Sequence, residues 1–593
     1  MSSPRATTLV ELVAGLAAER PEALAVRIER RRRGEDVSCE ALFAGARVAA
    51  ARLRAAGLAA GDRVQLLFPT DRAAIEGFFG VLLAGGVPVP AAPLTSLRAE
   101  DVALRGEALR NQALDAGASF CLAPGRHREL LQGQLAGAGV AVLACEGEGS
   151  PLPEADLAAP APEDTAFLQY TSGSTGAPKG VALTHANVLA NVAAIEDAFL
   201  PLVEGELTLS WLPLFHDMGL IGALLVSLYG RVPVALAAPA DFVRDPGWFL
   251  KVASRLRATI SVMPNFAFGY AVRRVPAEAV GELNLAPLRT ILNGAEPIDV
   301  EALRRFEEHF APAGLRPGAV RAVYGLAESA LAVTFARPGP CVIDRIDADA
   351  LERDGRAVPA PAGARVRSLV SVGRPVATQE VRIAGPDDDP LGEREVGEVC
   401  VRGPSVMAGY FRQPAATAKA LRAGWLRTGD FGYLAGGELY LVGREKETIR
   451  RYGRSYHPQD IEGQLARLEG VEAALAFGVE VDDDVRVVLV VATRLDAAPA
   501  REALEQRVRH RVGRAFALPV DAVALVPPQA IPKSTSGKLR RQACRAFYAH
   551  RRGARPPSGR YRVVSAQGVP GDLAEALTRA LEDAAARARA AEA

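Results

Sequence analysis

Apolar and polar positions recur along the chain in two alternating textures. Over residues 8–90, Ala/Leu/Arg-rich stretches with a helical stripe are interrupted by short apolar runs such as Val64-Gln65-Leu66-Leu67-Phe68, each about one strand long. The pattern returns at residues 207–214, 258–263, 289–292 and 322–324, each followed by a Gly, Pro or polar break before the next helical stretch. It predicts an α/β protein whose unusual residues collect at strand ends.

Three departures from this texture mark the organisation. Residues 338–367 are rich in Pro, Gly and charge and read as an excursion between strand-bearing regions. The charged run Arg444-Glu445-Lys446-Glu447 opens a second break, after which a smaller α/β pattern begins over residues 460–468, 474–479, 486–493 and 500–511. The expected division is therefore residues 1–443, 444–555 and a tail of 556–593, where Leu573, Leu577 and Leu581 recur every four residues as a short amphipathic helix. The run Arg30–Arg33 reads as a charged hairpin tip.

Composition narrows the classes. The 593-residue chain has 49% hydrophobic and 23% charged residues, which predicts folded domains rather than disorder. Its 70 Lys+Arg against 69 Asp+Glu leave a formal charge of +1, so no global field favours nucleic acid, and phosphate recognition has to be local. The six cysteines have no CxxC or His-paired spacing, which points to a reducing cytoplasm rather than a disulfide framework or zinc site. The longest apolar stretch, residues 218–230, is too short for a membrane span, so no integral membrane segment is expected.

Candidate chemistry begins at Tyr170-Thr171-Ser172-Gly173-Ser174-Thr175-Gly176-Ala177-Pro178-Lys179-Gly180, directly after the apolar run 165–168. Glycines let backbone N–H groups approach phosphate, hydroxyls add donors and Lys179 adds a point charge, so the loop suits a polyphosphate. It departs from the GxxxxGK[ST] pattern of P-loop enzymes, and no Walker fold is expected.

This segment resembles the phosphate-binding signature of the adenylate-forming superfamily of acyl-CoA synthetases, luciferases and peptide-synthetase adenylation domains, and further signatures follow in order. The resemblance implies a large N-terminal domain of stacked mixed sheets with helices and a distorted small barrel, plus a small mobile C-terminal α+β domain. Asn293-Gly294-Ala295-Glu296 and Tyr324-Gly325-Leu326-Ala327-Glu328 resemble the adenine-site segments, with Tyr324 against the base and Glu328 holding Mg²⁺. Asp430 of Trp425-Leu426-Arg427-Thr428-Gly429-Asp430 corresponds to the carboxylate for the ATP ribose, with Arg444 assisting. Lys538, in Pro532-Lys533-Ser534-Thr535-Ser536-Gly537-Lys538, corresponds to the catalytic lysine, and Lys446 to the hinge of the C-terminal lid.

Within the superfamily, three features resemble the fatty acyl-AMP ligases, which pass a fatty acyl group to an acyl carrier protein or carrier domain. They are His216-Asp217-Met218-Gly219, the string Pro458-Gln459-Asp460-Ile461-Glu462, and the excursion at 337–370, where that subfamily carries an insertion. His216, Asp217, Met218, Gly219, Asn265 and Phe266 are assigned to the acid-binding pocket. Rival readings are a fatty acyl-CoA synthetase, an amino-acid-activating domain and a non-catalytic adenylate-binding regulator.

Overall fold

The computed structural model describes residues 6–94, 99–146, 149–171, 179–199, 205–452, 454–481, 484–531, 541 and 544–545. At its centre is a nine-stranded sheet in the spatial order Arg374–Pro375, Ala332–Phe335, Val320–Gly325, Thr290–Gly294, Ile260–Pro264, Thr208–Ser210, Val234–Ala237, Leu24–Glu29 and Glu35–Ser38. The six strands from Val320–Gly325 to Leu24–Glu29 run parallel, and both edges are antiparallel. Strands buried on both faces carry near-continuous apolar runs. Thus Val234–Ala237, Ile260–Pro264 and Thr290–Gly294 are buried at every position.

A second parallel sheet of four strands (Val87–Pro90, Arg63–Leu66, Ala118–Ala123, Ala141–Ala144) lies in the N-terminal part. Helices Cys39–Ala55 and Arg72–Leu83 contribute to a core cluster shared with the central sheet, each started by a side chain accepting an orphan N–H: Ser38 from Ala41 and Asp71 from Ala74. The strand reading at 207–214 is corrected in part. Only Thr208–Ser210 is strand; the chain then turns through Pro213 into the π-helix Met218–Leu225. Proline cannot donate to a sheet ladder, and Gly219 sits so close to Pro213 that a Cβ there would lie 2.2 Å from its carbonyl oxygen.

The 337–370 excursion is ordered. Strands Ile343–Asp347 and Val366–Val370 pair antiparallel and flank the helix Ala348–Asp354. Beyond residue 444, strand Ala473–Val481 pairs antiparallel with Asp484–Ala492, which pairs parallel with Ala522–Val526. Helix Ala498–Phe516 packs on this sheet through Leu504, Val508, Val512 and Phe516, a stripe at four-residue spacing. The excursion reaches this unit directly: Arg367 lies 3.0 Å from Asp460, Arg454 lies 3.4 Å from Asp349, and Arg365 stands over the Phe516 ring. The tail helix expected over 572–590 lies outside the described residues.

Candidate active site

The parallel strands Ile260–Pro264, Thr290–Gly294 and Val320–Gly325 end side by side, with Pro264 opposite Gly294 and Asn293 opposite Ala322. Ligands of open α/β sheets bind at such carboxyl ends. The three segments that follow carry the candidate nucleotide residues. Asn293 Nδ2 donates to Asn265 Oδ1 at 3.2 Å, the Asp299 N–H donates to the same oxygen, and the Phe266 N–H donates to Glu296 Oε2 at 2.9 Å. Asn293 Oδ1 is buried without a hydrogen-bond partner among the described residues. Ala295 holds a left-handed φ of 68°, which turns the chain back across the strand end.

Close packing explains two of the glycines. A Cβ on Gly325 would come 1.8 Å from the Leu331 oxygen, and one on Gly294 would come 2.7 Å from Val323 Cγ2. Both positions therefore exclude any side chain.

Tyr324 and Asp430 are 6% and 7% exposed, and the tyrosine hydroxyl donates to Asp430 Oδ2 at 2.9 Å. Arg444 Nε donates to Asp430 Oδ1 at 2.7 Å, and the charge of Asp430 raises the arginine's proton affinity. Burial pushes the Tyr324 phenol well above its ordinary value, so it stays a donor. Asp430 is aimed by a tight turn. Thr428 Oγ1 accepts from the Asp430 N–H, Gly429 has a φ of 73°, and Glu398 accepts from the Gly429 N–H at 2.8 Å.

Glu328 follows Tyr324 on the same strand-to-turn segment. Its Oε1 accepts from the Tyr410 hydroxyl at 2.8 Å, and burial raises its pKa despite that bond. Thr171 and Lys179 face each other on antiparallel strands. Lys179 Nζ stands 4.5 Å from the centre of the Tyr410 ring. Ser172, Gly173, Ser174, Thr175, Gly176 and Lys538 lie outside the described residues.

His216, Asp217 and Met218 are half-buried between the short strand and the π-helix. Asp217 accepts from the Met218 N–H at 2.7 Å and starts that helix. Gln169, three residues before the phosphate loop, donates to the Phe215 oxygen at 2.9 Å and ties the two segments together. Phe266 meets Trp211 edge-on at 6.0 Å, and Trp211 stacks on Phe242 at 4.0 Å, forming an aromatic wall. Lys446, in the short turn Glu445–Glu447, is lowered in pKa by burial and then by the charges of Lys419 and Lys179.

Sequence reasoning missed Tyr410. Its only signal was a Gly-Tyr pair behind the apolar residues Val406-Met407-Ala408, and the strand pairing of Tyr410 with Val181 is what carries it to the loop.

No cluster of three or more His, Cys, Asp or Glu among the described residues could hold a metal ion. Mg²⁺ commonly uses one or two carboxylates and takes its other ligands from phosphate and water. A half-buried glutamate fits that habit, since Tyr410 takes only one of the carboxylate's several acceptor positions.

A parallel sheet with an acid–tyrosine–arginine cluster at its carboxyl ends, in a chain that carries the Thr171–Gly180 motif, defines an adenylate-forming enzyme. The chain belongs to the AMP-binding enzyme family, whose model matches residues 14–411. It is 36% identical over 516 residues to a putative acyl-CoA synthetase of Caulobacter vibrioides, covering 84% of this chain and 88% of that one. It is 34% identical over 541 residues to the long-chain-fatty-acid–AMP ligase FadD26 of Mycobacterium marinum, covering 86% and 91%. Among solved structures, one from the fatty acyl-adenylate ligases of E. coli and L. pneumophila matches with a TM-score of 0.86 and 33% identity, over 92% of this chain and 98% of that one.

Proposed function

We propose that this enzyme activates a fatty acid as its acyl-AMP, releasing pyrophosphate, and then passes the acyl group to the phosphopantetheine thiol of an acyl carrier protein. The observation that carries the reading is the Tyr324–Asp430–Arg444 cluster beside Glu328 at the sheet's carboxyl ends. The likeness to a fatty acid–AMP ligase and to fatty acyl-adenylate ligases over most of the chain supports the substrate class.

In this reading the fatty acid carboxylate attacks the α-phosphorus of ATP, forming a carboxyl O–P bond as the bond to pyrophosphate breaks. Both partners are anionic, so the site must offset charge without dispersing it into water. Asp430, fixed by Tyr324 and Arg444, accepts from the ribose hydroxyls. The 293–296 and 324–327 segments flank the adenine, and Asn293 Oδ1 is an acceptor for a base N–H. Thr171, Lys179 and the loop between them hold the leaving pyrophosphate, and Lys538 bridges carboxylate and α-phosphate. Bound at Glu328, Mg²⁺ supplies Lewis-acid neutralisation of phosphate charge. His216–Gly219 and Asn265–Phe266, backed by Trp211, border the acyl chain.

Residues 1–443 form the adenylation domain and 444–555 a lid turning near Lys446, with 556–593 as an appended tail. Six free thiols accord with a reducing cytoplasm, and among the described residues no helix is long and apolar enough to cross a membrane.

A second reading, acyl transfer to coenzyme A, is favoured by the likeness to a putative acyl-CoA synthetase. Incubating the protein with ATP, Mg²⁺, fatty acids and coenzyme A, with and without a holo acyl carrier protein, separates the two by mass spectrometry. Acyl-AMP that survives coenzyme A and is consumed by the carrier is the expected result. Efficient acyl-CoA formation moves the assignment to a synthetase.

A further inference from the structure

Tyr410 joins two parts of the site that come from distant segments. Its backbone belongs to a short strand pairing with the one that leaves the phosphate loop: Gly409 lies opposite Ala182, Tyr410 opposite Val181, and the Phe411 N–H donates to the Gly180 oxygen at 2.8 Å. The same segment is pinned to the Glu328 turn, since the Met407 N–H donates to the Glu328 carbonyl oxygen at 2.9 Å. From this position the side chain does two things at once. The hydroxyl donates to Glu328 Oε1 at 2.8 Å, while the ring face lies 4.5 Å from Lys179 Nζ.

We infer that Tyr410 is a positioning residue that sets the distance between the metal-side carboxylate Glu328 and the phosphate-side ammonium Lys179, so that one polyphosphate can engage both. Without the phenol a half-buried carboxylate and a nearby lysine would be free to close on each other, and the ion pair so formed would compete with the nucleotide for both charges. The ring holds Lys179 by its quadrupole without neutralising it, and the hydroxyl satisfies one Glu328 lone pair without supplying a charge. The two roles separate chemically: phenylalanine keeps the ring and loses the donor, whereas leucine loses both.

The inference rests on the ATP-site assignment above, and its test keeps the two apart. Affinity for α,β-methylene-ATP, whose α–β bridge is not cleaved, is measured calorimetrically with Mg²⁺ and with EDTA for the wild type, Tyr410→Phe and Tyr410→Leu, with melting temperatures recorded alongside. In Tyr410→Phe the gain in affinity on adding Mg²⁺ should fall about tenfold, as for a lost hydrogen bond to a charged group, while the affinity in EDTA stays at the wild-type value. In Tyr410→Leu the EDTA affinity should fall as well, because Lys179 loses its support. Wild-type affinities in Tyr410→Phe under both conditions overturn the inference and leave the ATP-site assignment intact. An equal loss in Mg²⁺ and EDTA that tracks a lower melting temperature also overturns it, reducing Tyr410 to a packing residue. A wild-type protein that binds the analogue under neither condition overturns the assignment and the inference together.

Discussion

The Tyr324 hydroxyl donates to Asp430 Oδ2 at 2.9 Å, joining residues 106 positions apart in sequence at a site where neither is more than 7% exposed. The bond explains why a buried tyrosine and a buried aspartate occur together. Each would be costly alone, and each satisfies the other while Arg444 supplies the countercharge.

Tyr324→Phe should therefore weaken ATP use by loosening Asp430. A lost hydrogen bond to a charged group costs about 1.5–3 kcal/mol, so the KM for ATP in pyrophosphate exchange should rise roughly tenfold or more. Asp430→Asn, which removes the charge that Arg444 faces, should cost more. An unchanged KM in both variants removes this cluster from the nucleotide site.

The acid limb of adenylation should report Glu328. Burial raises this carboxyl above 4.5, so the folded protein holds its proton more tightly than the unfolded chain does. Its contribution to stability is thus present at low pH and lost as pH rises from the unfolded to the raised folded value. In the proposed role activity runs the other way, because a carboxylate that holds Mg²⁺ has to be ionised. The fall in kcat/KM for ATP on acidification should have its midpoint above 4.5, and Tyr410→Phe should move it higher still by removing a bond to the carboxylate.

Lys538→Ala should lower adenylation by on the order of a hundredfold or more, the usual effect of deleting a preorganised electrostatic donor. Pulsed measurement of pyrophosphate release is the direct check, and near-normal release would rule out the assigned role.

The paired strands of the 337–370 excursion should brace the C-terminal unit through Arg367 and Asp460. Arg367 also donates to the Val442 oxygen at 2.7 Å, so one side chain touches the excursion's strand, the segment before residue 444 and the helix Pro458–Leu465. Truncating one partner of a largely buried charge pair costs about 2–5 kcal/mol at protein interfaces. Asp460→Ala should thus speed proteolysis between residues 443 and 456 while the cleavage pattern of residues 14–411 is retained. Equal protection in variant and wild type would show that the pair does not hold the unit.

Local chemistry made much of this protein legible from its sequence. Buried parallel strands need continuous apolar runs, so the strands at 260–264, 290–294 and 320–325 were visible in outline. Asn293–Glu296, Tyr324–Glu328 and Asp430 were singled out by the resemblance of their motifs to the adenylate-forming superfamily, and the close packing at Gly294 and Gly325 and the tight turn at Gly429 are the local geometry of those motifs. The segment at 207–214 misled because its apolar character continues past Ser210 while Pro213 and the close packing of Gly219 end the strand. The excursion's Pro, Gly and charge concealed a paired hairpin, because the contacts that fix it include ion pairs with the C-terminal unit, which its own sequence cannot display.

The sequence by itself marked which segments break the strand-and-helix texture and carry candidate chemistry, because backbone sterics and the desolvation of charge act on near neighbours. Which residues meet was decided only by tertiary structure. Tyr410 acquires its place from a strand pairing across more than two hundred residues, and Asp430 reaches Tyr324 through a turn that Glu398 fixes from another strand. Such contacts depend on the register of whole sheets, which no local pattern of side chains encodes.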